Sequence, residues 1–90
     1  MARYSLRIKR SAKIELESIA RTADRQRVVN RILSLADNPR PPVTVKLSGF
    51  ERYRIRQGRY RILYTVEDSA LLVHVIKIGD RKDVYRSMTS

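Results

Sequence analysis

The stretch Arg52-Tyr-Arg-Ile-Arg-Gln-Gly-Arg-Tyr-Arg-Ile-Leu-Tyr64 constrains the fold of this chain more than any other. Tyr53, Ile55, Tyr60 and Ile62 alternate with arginine at period two, the pattern of strands whose successive side chains point to opposite faces. Glycine supplies the positive φ that a tight connection needs, so Gln57-Gly58 predicts the turn of a hairpin. One face of that hairpin is apolar and must be buried. The other carries Arg54 and Arg56 on one strand and Arg61 on its neighbour, a surface suited to phosphate because the guanidinium fork matches phosphate oxygens in pairs.

The rest of the chain supplies what the apolar face needs. Tyr4, Leu6 and Ile8 alternate with Ser5, Arg7 and Lys9 and predict a first strand. Ser11 is a candidate cap for a helix running to about Arg21, with Glu15 and Glu17 near its positive end and a stripe of Ile14, Ile19 and Ala20 bordered by Leu16. Asp24 is a candidate cap for a second helix, in which Val28, Ile32, Leu35 and Ala36 recur at helical spacing, with Val29 and Leu33 beside them. Asn38-Pro39 ends it. After the stiff connector Pro39-Arg40-Pro41-Pro42, Val43, Val45 and Leu47 predict an edge strand broken by Ser48-Gly49, and Phe50 is expected in the core.

Beyond the hairpin, Glu67-Asp68-Ser69 turns the chain into the apolar run Leu71 to Ile78, which suits a central strand covered on both faces. Gly79-Asp80-Arg81 is expected to turn out of the strand into a tail carrying Tyr85, and Asp80 and Asp83 to serve as turn and ion-pair residues beside Arg81 and Lys82. The expectation is a single α+β domain over residues 1–90 in the order β-α-α-β-β-β, with a possible extra edge strand. Two N-terminal helices pack on one face of a small antiparallel sheet, and the arginines line the other.

Composition limits the chemistry. The chain has no cysteine and one histidine, so thiol chemistry is excluded and a metal centre is not expected. His74 lies in the apolar run and reads as a core or cross-strand residue. Neither a signal peptide nor a membrane span is expected, which points to the cytoplasm. The net charge of +11, from 20 basic and nine acidic residues, favours a polyanionic partner. Like charges on neighbouring strands repel, so the clustered arginines are not there for stability. That polyanion is nucleic acid, an anionic membrane or an acidic protein, and charge alone does not choose among them. If it is RNA, the arginines would also stabilise the charged intermediate formed when a 2′-hydroxyl attacks its own phosphodiester. No group suited to a general base near pH 7 stands beside them, and from the residues alone binding stands slightly ahead of catalysis.

The segment Tyr53–Tyr64, taken with Val75-Ile-Lys-Ile-Gly-Asp-Arg-Lys-Asp-Val-Tyr85, resembles the RelE toxins of the RelE/ParE superfamily of toxin–antitoxin systems along nearly the whole chain. That resemblance implies a ribosome-dependent endoribonuclease that cuts messenger RNA through the RNA 2′-hydroxyl without metal or other cofactor. It assigns the family's basic pair to Arg54 and Arg56, the phosphate-stabilising arginine to Arg61, the leaving-group arginine to Arg81, and the aromatic that orients RNA or assists proton transfer to Tyr85. Arg52, Arg59 and Lys82 are expected to bind RNA beside them. Relatives often carry lysine at the basic pair, where this chain has arginine, a far poorer base. The implied partners are an antitoxin, in a hetero-oligomer, and the ribosome with its message. The alternative is a non-enzymatic toxin of the ParE kind acting on DNA gyrase.

Overall fold

The structure, a computed structural model, describes residues 3–47 and 51–80. Among the described residues the elements are β1 (Ser5–Ile8), α1 (Arg10–Glu17), α2 (Thr22–Ser34), β2 (Val45–Leu47), β3 (Arg52–Gln57), β4 (Tyr60–Glu67) and β5 (Leu72–Asp80), with a 3-10 turn at Asp68–Ala70. Phe50, Arg81, Lys82, Asp83 and Tyr85, singled out above, lie outside the described residues, as does Ser48-Gly49.

The strands form one sheet in the order β1-β5-β4-β3-β2. The two hairpins β3–β4 and β4–β5 are antiparallel, as is β2 on β3. The sheet is nonetheless mixed, because β1 pairs parallel to β5, with Leu6 opposite Val73 and Ile8 opposite Val75. This corrects the expected all-antiparallel sheet. A helical pair between β1 and the later strands returns the chain so that the last strand runs alongside the first, as a crossover connection allows.

Helices cover one face only. Ala12, Leu16 and Ile19 from the first helical segment and Val28, Ile32 and Leu35 from the second meet Tyr53, Ile55, Ile62, Tyr64, Val66, Val73, Val75 and Ile78 of the sheet in one core. The buried set of the first helix is therefore spaced 12, 16, 19, while Ile14 is 57% exposed and Ala20 is also exposed, against the stripe read from sequence. β5 is likewise buried on one face rather than two: Val73 and Val75 are inside while His74 and Ile76 are half-exposed. A bulge keeps Ile78 on the inner face. Leu63 faces Lys77 and Tyr64 faces Val75, so β5 carries one extra residue there.

Helix ends also differ from the sequence reading. Neither Ser11 nor Asp24 is a cap: α1 starts from Lys9 and α2 from Arg21, neither with a side-chain capping bond. Asp24 instead sits in the first turn of α2, where its charge favours the helix dipole. α1 stops at Glu17, short of Arg21, and α2 stops at Ser34, where Leu35, Ala36 and Asp37 donate to carbonyls three residues back and tighten the chain out of the helix. Glu15 works at a sheet edge: β1 pairs with β5 only as far as Val75, and beyond it Glu15 accepts the Ile78 N–H at 3.1 Å and the ammonium of Lys77.

The hairpin turn is Gly58-Arg59, one residue on from the expected pair, with Gln57 opposite Tyr60. Gly58 has φ +60 while Arg59 is not among the positive-φ residues, the pattern of a type II′ turn. A Cβ at Gly58 would meet nothing within 4 Å, so Gly58→Ala should cost only the backbone strain of a left-handed alanine, about 1–2 kcal/mol. Urea denaturation checks this, and an unchanged midpoint would contradict it.

Gly79 and Asp80 do not turn out of β5; they continue it opposite Arg61 and Tyr60.

Arg40 fixes the connector that precedes β2. Its guanidinium donates to both carboxylate oxygens of Asp68, at 3.0 and 2.8 Å, and to the Tyr53 hydroxyl at 2.8 Å. The Tyr4 hydroxyl also donates to Asp68, at 2.6 Å. Bonds from Arg40, and then Tyr4, lower the Asp68 carboxyl from 3.8 to about 2. Because the folded value is the lower one, this contribution is complete above about pH 4 and is lost as pH falls through about 2. Stability followed from pH 6 to 2 should therefore fall more steeply for the wild type than for Asp68→Asn below pH 4; parallel curves would contradict the tie.

Candidate functional site

The face opposite the helices carries the arginines that the alternation predicts. Arg56 and Arg61 are direct cross-strand partners, and Arg54 stands opposite Leu63 one step along the same face. Cα atoms so paired lie about 5 Å apart. A groove of about 480 Å³ opens here, lined by Arg54, Arg56, Arg61, Val43, Val45 and Arg31. Arg61 forms its floor at 5% exposure, Arg54 is half-buried and Arg56 is exposed at the rim. All four charges of the lining are guanidinium groups.

Arg31 was not legible as a site residue. It lies on α2, yet it reaches the groove because β2 pairs only with Arg52 to Arg54 and leaves the outer edge of Ile55 to Gln57 uncovered by β2. Its Nε donates to the Gln57 side-chain oxygen at 3.1 Å, which fixes the guanidinium at that corner. Val43 and Val45 supply the apolar wall and are 61% and 45% exposed, so the groove joins fixed cations to open apolar surface of the kind a nucleobase covers.

Other expected residues fall elsewhere. Arg52 shares the face of Arg54 and Arg56 but is opposite Leu47 and Thr65, two residues further from the groove. Arg59 is turned away at the hairpin tip, donating to Asp80 at 2.7 Å and lying 6.0 Å from the Tyr60 ring centre. Asp80 thus serves as an ion-pair residue, but with Arg59 across the sheet. His74 is opposite Thr65, about 13 Å along β4 from Arg61 at strand rise, too far to act as a base in the groove.

The Arg56–Arg61 pair is unfavourable for folding, since like charges directly across a strand pair repel. Arg56→Thr, which adds a residue suited to strands, should raise stability by about 0.5 kcal/mol. Chemical denaturation reads this directly. A loss of stability would mean that the arginine is structural.

Comparison with known proteins agrees with this architecture. Residues 6–85 match the family described as the ParE toxin of the type II toxin–antitoxin system, parDE. A putative RelE-like toxin protein of Escherichia coli is 28% identical over 88 residues, covering 92% of this chain and 90% of that protein. Among solved structures, the isolated E. coli RelE toxin superposes with TM-score 0.75 at 26% identity, covering 96% of this chain and 95% of the other. The toxin–antitoxin complex RelBE2 of Mycobacterium tuberculosis gives TM-score 0.76 at 23% identity, covering 88% and 99%, and shows the shared fold. A fold of two helices on a mixed five-stranded sheet, with a family match along nearly its whole length, places this chain in the RelE/ParE family of type II toxin–antitoxin toxins.

Proposed function

We propose that the chain is an endoribonuclease that cuts messenger RNA on the ribosome, the RNA 2′-hydroxyl being the nucleophile. The observation that carries this reading is the groove itself, in which Arg31, Arg54, Arg56 and Arg61 converge beside Val43 and Val45. In the reaction the 2′-oxygen attacks the adjacent phosphorus and its proton leaves. The P–O5′ bond breaks, and the 5′-oxygen takes up a proton. A 2′,3′-cyclic phosphate and a 5′-hydroxyl result.

Each group has a part in that scheme. Arg61, largely withdrawn from water, meets the phosphate where charge-assisted hydrogen bonds are strong. Arg54 stabilises the non-bridging oxygens with it. Arg56 at the rim holds the incoming strand, because arginine is too weak a base to take the 2′-proton. Arg81 and Tyr85, from the C-terminal end, are assigned to the leaving 5′-oxygen and to orientation of the RNA or proton transfer, and Arg52 and Lys82 to RNA binding. Arg59 is committed to Asp80 and is a weaker candidate for RNA.

The same reading implies an antitoxin. A double mutant of the E. coli toxin RelE, 27% identical to this chain, has been solved in complex with an antitoxin RelBc peptide, and a partner acidic where it meets the groove would neutralise this surface in a hetero-oligomer. Action on messenger RNA and the ribosome places the protein in the cytoplasm. Among the described residues no helix is long and apolar enough to cross a membrane.

A second reading, inhibition of DNA gyrase, is favoured by the ParE description of the matching family. Toeprinting of translating ribosomes, run beside a plasmid supercoiling assay with gyrase, separates the two. Cut message with normal supercoiling is the expected result; intact message with blocked supercoiling would replace this reading with the second.

A further inference from the structure

The groove does not end at the sheet edge. Arg31 lines it and also lines a cleft of about 270 Å³ on the helix side, formed with Arg27, Asn30, Ser34 and Gln57. The two hollows share Arg31 as a common wall. Arg27 and Arg31 stand one turn apart on α2, and their side chains share one flank of the helix. Asn30 and Ser34 together add neutral polar groups, and Arg27 is exposed and pairs with Asp24 at 3.5 Å. Gln57, which lines the cleft, holds Arg31 through its side-chain oxygen at 3.1 Å, so the arginine common to both hollows is fixed from the cleft side.

We propose that this cleft is a second phosphate subsite, and that a single RNA strand leaving the groove passes over Arg31 and lays its backbone along Arg27, Asn30 and Ser34. The inference rests on the groove binding RNA and adds the direction the strand takes beyond it. Its recognition is independent of sequence, because the groups concerned are the Arg27 and Arg31 cations and the Asn30 amide donor, of the kind that contact phosphate and sugar. The Ser34 hydroxyl donates to the Arg31 carbonyl at 2.6 Å and offers only an acceptor. The charge of the track favours a polyanion; a flexible acidic peptide shares that charge, but it lacks the regular phosphate spacing that paired arginines one helical turn apart would meet.

Fluorescence anisotropy with RNAs bearing 2′-O-methyl groups throughout, and so not cleavable, tests the track. A trimer fills the groove alone, and a 12-mer extends beyond it. Wild type should bind the 12-mer more tightly than the trimer. Arg27→Gln should weaken the 12-mer about fivefold at 0.1 M salt and flatten its salt slope by about 0.7, the share of one phosphate contact in a single strand. The trimer should be unaffected by Arg27→Gln, whereas Arg31→Gln should weaken both RNAs. Lys13→Gln on α1, an exposed site with the same charge change, should leave both unchanged. Equal losses for Lys13→Gln and Arg27→Gln would mean general charge and overturn the track, as would a wild type that binds both lengths alike. An oligoglutamate 12-mer whose binding alone depends on Arg27 would make the cleft a protein-docking surface and overturn it too. If the Arg27 result holds while ribosome-bound message stays intact, the nuclease reading fails and the track stands.

Discussion

Arg61→Ala is expected to reduce cleavage of ribosome-bound message by about 10²- to 10³-fold, the usual consequence of removing one preorganised donor from a developing oxyanion. Of the four groove arginines Arg61 is the most deeply buried, with only 5% of its surface reaching solvent. An exposed cation can be replaced in part by water and counterions, whereas a buried one acts where screening is weak. Arg61→Lys keeps the charge but loses the fork, and should fall between the wild type and alanine. Arg56→Ala at the exposed rim should raise KM more than it lowers kcat, as expected for a residue that holds the strand in ground and transition states alike. Single-turnover rates on programmed ribosomes check all three. If Arg61→Ala were as active as wild type while Arg56→Ala were inactive, the chemistry would have to be moved to the rim.

Tyr64→Ala is expected to cost about 3–5 kcal/mol, a large share of the roughly 5–15 kcal/mol that stabilises a small domain. Tyr64 is fully buried. Its ring stacks on Tyr53 with centroids 5.6 Å apart, and its hydroxyl donates to the Pro39 carbonyl at 2.7 Å and lies 3.1 Å from the Thr44 hydroxyl. These bonds tie the connector to the sheet at Pro39 and at Thr44, which stands between Val43 and Val45, so this core residue also places the apolar wall of the groove. Tyr64→Phe retains the ring and leaves the Pro39 carbonyl without its tyrosine donor, and should cost about 1–3 kcal/mol. It should also weaken RNA binding by loosening the wall while leaving the Arg56–Arg61 register intact. Urea denaturation and anisotropy measured on the same variant test the link. Full stability in Tyr64→Phe would show that the tie is dispensable.

The parts of this molecule that were legible in the sequence are those fixed by neighbouring residues. Period-two alternation placed Tyr53 and Ile55 inward and Arg54 and Arg56 outward, and the glycine placed the turn to within one residue. Helical spacing found Val28, Ile32 and Leu35 in the core. What the sequence left hidden depends on contacts between distant segments. Nothing local to Leu6 says that its neighbour is Val73, or that the pairing is parallel. Ile14 looks as apolar as Leu16, and only the direction in which α1 lies on the sheet exposes the first and buries the second. β5 read as doubly buried because its outer positions include Ile76, and the bulge at Leu63 and Tyr64 disturbs the alternation that would have shown otherwise.

The site follows the same division. Arg54, Arg56 and Arg61 were visible as a set because they share a hairpin. Arg31 was not, because its approach to Gln57 spans 26 residues and needs the short β2 to leave a corner open. Its spacing from Arg27 on one flank of α2 was the available signal, and that signal is also what a solvated helix face would give. Arg59 misled in the opposite sense: its place in the arginine run suggested RNA, while the hairpin tip turns it towards Asp80.

The central claim is that the guanidinium groove cleaves RNA through its own 2′-hydroxyl, and the chemistry of the cut ends tests it most directly. Message cut on the ribosome by the purified protein should carry a 2′,3′-cyclic phosphate, or the 3′-phosphate from its opening, on one fragment and a 5′-hydroxyl on the other, and Arg61→Ala should remove both. Fragments with a 3′-hydroxyl and a 5′-phosphate would contradict the mechanism, because they require water to attack from the other side of the phosphate.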